Sequence, residues 1–108
     1  MLLSNLETVP GHKIIQYLNL VSGSTVRGKD IITDTFASIK NIFGGEINSY
    51  THLLEETRTE AIQRLILKAE KLGANAIVGI RFSSSNIADE ASELFVYGTA
   101  VIVEPVKE

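Results

Sequence analysis

The order of apolar and polar positions along this chain changes period several times, and each change marks an element. Residues 13–22, KIIQYLNLVS, are dominated by β-branched and long apolar side chains between Gly11 and Gly23, which predicts a strand. From Asp30 the period lengthens. Ile32, Phe36, Ile39 and Phe43 recur at helical spacing, with Asp30 placed to cap the first turn and Gly44-Gly45 to stop the last. A second helix is expected after Asn48 or Ser49. It carries Tyr50, Leu54, Ala61, Leu65, Ala69 and Leu72 along one face, widened by Leu53, Ile62 and Ile66, and ends at Gly73. Roughly 24 residues rising about 1.5 Å each make a rod of about 36 Å, the full width of so small a domain. Part of it is expected to lean on something outside its own subunit.

Two strands close the pattern, Asn75–Ser83 and Leu94–Glu104, joined by the polar stretch SSNIADEAS, which reads as a hairpin loop. In the last strand Leu94, Val96, Ala100 and Ile102 fill one face while Phe95, Tyr97, Val101 and Val103 fill the other. Neither face turns polar as a solvated sheet surface does, so both require cover. With the short segment Leu2–Val9 as an added edge strand, the order predicts an α+β subunit: a small antiparallel sheet with two helices on one face. The helices supply one cover. A second copy of the chain is the expected source of the other, because each Val- or Leu-sized side chain left exposed forgoes about 1.5–3 kcal/mol.

Composition narrows the function classes. At 108 residues, with 44% hydrophobic and 21% charged positions, the chain fits one folded domain. Ten Lys and Arg against thirteen Asp and Glu, with the basic residues scattered, argue against nucleic acid as a partner. The absence of cysteine removes disulfides, thiolate metal sites and thiol nucleophiles. No apolar run approaches the roughly 20 residues of a membrane span, and no basic leader opens the chain, so a cytoplasmic protein without a membrane partner is expected.

Candidate chemistry is sparse. Residues 23–30, GSTVRGKD, stop one residue short of the phosphate-cradling pattern G-x-x-x-x-G-K-[ST]. Asp30 stands where that loop needs a hydroxyl for magnesium, so the stretch reads instead as a glycine turn, with Gly23 and Gly28 at positive φ, delivering the chain to a capped helix. If an anion or other small ligand binds, Arg27, Gly28 and Lys29, beside Asp30 and Asp34, are the positions for it. For a metal ion the chain offers His12 and His52, the latter with Glu55 and Glu56 on one helical face, a set better explained as a solvated first turn. Arg58 reads as an ion-pair partner at an interface. No nucleophile elbow and no H-E-x-x-H occur, so the leading expectation is a non-enzymatic oligomer, and the alternative is an enzyme whose site is shared between subunits.

The pieces G23-x-x-V26-x-G28-x-D30-I31-x-x-D34, then Gly44-Gly45, Tyr50, Arg58, LGANAIVG at 72–79 and GTAV at 98–101 resemble the YbjQ-like family, small and mostly bacterial proteins whose name refers to heavy-metal binding. The resemblance runs from about Thr8 to Val103. It implies a dodecin-like subunit assembled as a ring-shaped homopentamer, with strands joining neighbours, and a metal ion as a cofactor to be tested. It carries over no catalytic residue.

Overall fold

The computed structural model describes residues 1–28, 47–88 and 91–107. Strand β1 is Leu2–Leu3, β2 is His12–Gly28, helix α1 is Ile47–Lys71, β3 is Ala76–Ala88 and β4 is Ala91–Pro105. The sheet order is β1-β3-β4-β2. β1 lies parallel to β3, whereas β3 and β2 flank β4 antiparallel, so the sheet is mixed rather than purely antiparallel. Of the edge strand expected over Leu2–Val9, Leu2–Leu3 is present as β1. One helix stands among the described residues where two were expected. The first, spanning 30–43, falls outside them.

α1 ends as its sequence requires. Gly73 takes φ 85°, its N–H donates to the Glu70 carbonyl and the Ala74 N–H to the Ala69 carbonyl, a Schellman cap that satisfies two carbonyls the helix leaves open. Lys68 and Lys71 in the last turn add cations where the helix dipole favours them. Ala61, Leu65 and Ala69 on one face are fully buried against Val21, Ile77, Val96 and Ala100, the main core. A second, smaller core of Val9, Ala76, Val78, Val101 and Val103 lies on the opposite side of the sheet. β4 thus buries alternate residues in two cores, the doubly apolar strand that its sequence describes.

Two expectations are corrected. The stretch GSTVRG is not a turn but the second half of β2, paired with β4 from Gly23↔Val96 to Gly28↔Ala91. Gly23 has no positive φ. Its missing side chain makes room for α1 instead: a Cβ there would press on the Ala61 carbonyl oxygen and lie 2.6 Å from the Leu65 nitrogen. Likewise SSNIADEAS is mostly ladder rather than loop, with Ser84↔Leu94, Ser85↔Glu93, Asn86↔Ser92 and Ala88↔Ala91 in register. Pairing with a central apolar strand outweighs the weak strand preference of Ser and Asn.

The long ribbon makes the subunit extended. Its axes measure 57 × 29 × 19 Å and its radius of gyration is 17.4 Å, against about 13 Å for a compact chain of this length. Seventeen residues of β2 span roughly 56 Å by themselves. Within the core one polar atom is stranded: Thr25 is 1% exposed and its Oγ1 has no hydrogen-bond partner among the described residues. An unpaired buried hydroxyl costs about 1–3 kcal/mol, so Thr25→Val is expected to stabilise the subunit by about 1 kcal/mol, read as a rise in the midpoint of urea unfolding at unchanged slope.

Candidate functional site

One face of the sheet, the one away from α1, carries the exposed side chains of Tyr17, Leu20 and Val26. Cross-strand partners share a face, so the rows on the side away from α1 read Tyr17↔Val101↔Ala76, Leu20↔Thr99↔Val78, Ser22↔Tyr97↔Arg81, Ser24↔Phe95↔Ser83 and Val26↔Glu93↔Ser85. The segment before β2 covers only one end of this face. Val9 packs there on Val101 and Val103. Gly79, with φ 65°, lets its N–H reach the Leu6 carbonyl at 2.7 Å, and Ile80 N–H donates to the Ser4 carbonyl at 3.1 Å. Arg81 fastens the same segment by donating from its guanidinium to the Asn5 carbonyl.

Beyond that cover, no described residue lies over the face. Tyr17 is 67% and Leu20 69% exposed. Phe95 and Tyr97 stack on each other with ring centroids 5.4 Å apart, both half-buried. Among the described residues, β2 is the edge strand beside this face, paired with β4. Its outer side is partly engaged at one point, where the Arg64 guanidinium donates to the Ser24 carbonyl and to Glu60 Oε1 at 2.6 Å. A long edge with an apolar flank is a template for another strand.

The predicted chemistry lies elsewhere and stays dispersed. Arg27 and Gly28 are the last two residues of β2, opposite Ser92 and Ala91; Lys29, Asp30 and Asp34 lie outside the described residues. Extended backbone through Gly28 points successive N–H groups to opposite edges of the strand and so does not make the concave nest that a phosphate needs; no P-loop forms at 23–28. His12 opens β2 with Nδ1 3.0 Å from the Pro10 carbonyl. His52 Nε2 lies 3.6 Å from Glu56 Oε1. Glu55 and Arg58 are exposed, so Arg58 remains open to the intersubunit pairing expected of it. No helix among the described residues is long and apolar enough to cross a membrane.

The sequence places Asn75 at the start of a strand but assigns its side chain no role. Its side-chain amide donates to the Val103 carbonyl and its side-chain oxygen accepts from Val103 N–H, both at 2.8 Å. The side chain imitates one more residue of strand, joining β3 to β4 straight after the helix cap. The only signal was its place between Gly73 and the apolar run that begins at Ala76.

A family model described as "Putative heavy-metal-binding", that of YbjQ, matches residues 1–104. The chain belongs to this family. A UPF0145 protein of Acinetobacter baylyi is 67% identical over 97 residues, covering 90% of each chain. One from Hahella chejuensis is 53% identical over 104 residues, covering 96% of this chain and all of its own. A crystal structure of a protein of unknown function from Pediococcus pentosaceus, assigned to the DUF74 family, matches the fold with a TM-score of 0.62 at 17% identity, covering 96% of this chain and 98% of that one.

Two of the stretches that carry the resemblance, LGANAIVG and GTAV, are architectural in this chain. In LGANAIVG, Gly73 caps α1, Asn75 splices β3 to β4, Ala76 and Ile77 are fully buried in the two cores, and Gly79 admits the N-terminal segment. In GTAV, a Cβ on Gly98 would lie 2.9 Å from Ile77 Cγ2, and Ala100 and Val101 are fully buried. These residues build the subunit.

Proposed function

We propose that this protein is a non-enzymatic subunit of a homo-oligomeric ring, joined through the open half of the sheet face and the outer edge of β2. The observation that carries the reading is the apolar face around Tyr17 and Leu20, over which, among the described residues, neither α1 nor the N-terminal segment lies. Area supports it. The subunit exposes 7292 Å², against roughly 5,900 Å² for a compact monomer of 11.8 kDa. The excess of about 1,400 Å² is surface that an extended subunit leaves for a partner to cover. A count of five rests on the family resemblance.

An enzyme shared between subunits needs convergent titratable groups. The ion pairs among the described residues, His52–Glu56 and Arg64–Glu60, are helix-surface pairs at i, i+4 spacing, which favours the non-enzymatic reading. Native mass spectrometry at micromolar concentration is expected to show a closed oligomer of five subunits. A monomer under those conditions overturns the proposal.

A further inference from the structure

The family description and the donor set of this chain disagree. Heavy-metal ions such as Cd2+ and Hg2+ are soft and select thiolate or thioether ligands. The chain has no cysteine and a single methionine, Met1. No soft ligand set exists along it.

Among the described residues, nitrogen and oxygen donors are little better arranged. The two histidines are the whole imidazole complement, and the fold separates them. His12 begins β2 opposite Pro105. α1 passes over Gly23 at Ala61–Leu65, and after its C-terminus Asn75 bonds to Val103, whose partner on β2 is Ile14. The helix therefore runs antiparallel to β2. His52 precedes Ala61 by a further stretch of about 13 Å of helix, toward the end remote from His12. There it meets Glu56 at 3.6 Å, with the two side chains 73% and 64% exposed. Zinc needs three or four protein ligands, and among the described residues no group of three or more His, Cys, Asp or Glu is in position to hold an ion.

We infer that this chain does not bind heavy-metal ions: it is a member of the family without a metal site, and His52–Glu56 is an ordinary helix-surface pair. The test uses the untagged protein in its native assembly, since a histidine tag would supply the missing ligands. Wild type and His52→Ala are dialysed against Cd2+ or Zn2+, passed through gel filtration, and their metal content is measured by mass spectrometry. The expected result is metal at the background of a cysteine-free control protein, identical in the two forms. Retention of either ion at one or more per assembly overturns the inference, and its loss in His52→Ala would place the site at that residue.

Discussion

Gly23→Ala is expected to unfold a large share of the protein at temperatures where the wild type is intact. The added methyl would meet three backbone atoms of α1: the Ala61 carbonyl oxygen, the Leu65 nitrogen at 2.6 Å and the Arg64 carbonyl carbon at 3.2 Å. None can rotate away as a side chain would. The helix must retreat by about 1 Å to restore ordinary contact, and a gap of that size forfeits a quarter to a half of the dispersion energy of each opposed atom pair. The loss extends along the face holding Ala61, Leu65 and Ala69, all fully buried. Overpacking of this kind costs about 3 kcal/mol at the upper end of its usual range, out of a total stability of about 5–15 kcal/mol. The melting temperature should fall by about 12–24 °C, followed by circular dichroism. Gly73→Asn is the contrast. That glycine has φ 85°, and a Cβ added to it would find nothing within 4 Å, so its demand is for left-handed backbone, which Asn tolerates. An unchanged melting temperature in Gly23→Ala would mean that α1 does not rest on β2 at this point.

The same residue shows where reading the sequence succeeded and where it could not. α1 was legible because period, length and stop signal all pointed one way, from the Ala61–Leu65–Ala69 stripe to the cap at Gly73. β4 was legible because a strand apolar on both faces admits only a buried position. At Gly23 the local signal misled. A glycine needed for positive φ and one needed for space look alike in a sequence, and only the helix crossing overhead, more than thirty residues later, separates them. The Ser-rich stretch after Phe82 misled in the same way, since its strand character comes from its partners Leu94 and Glu93. Of the candidate site, the requirement for cover on both sides of β4 was readable. Which residues stay uncovered was not, because that depends on how far Val9 and Arg81 carry the N-terminal segment across the face.

Leu20→Glu is expected to dissociate the assembly while leaving the subunit folded. In the isolated subunit Leu20 is 69% exposed, so a carboxylate there meets water and should change stability by no more than about 0.5 kcal/mol. In a ring that covers this face, the substitution removes a buried leucine, worth about 1.5–3 kcal/mol, or about 10- to 150-fold in the affinity of each contact. It also places a charge opposite apolar groups, which adds to the loss unless the carboxylate finds a partner. A closed ring repeats the damage at every interface, so the loss compounds. Native mass spectrometry should show monomer for Leu20→Glu at concentrations where the wild type is oligomeric, with an unchanged far-ultraviolet circular dichroism spectrum. An intact oligomer would take the contact away from the face that Tyr17 and Leu20 share. The outer edge of β2 would then be the surface that joins the copies, since backbone pairing along an edge is indifferent to a side chain that points out of the sheet plane.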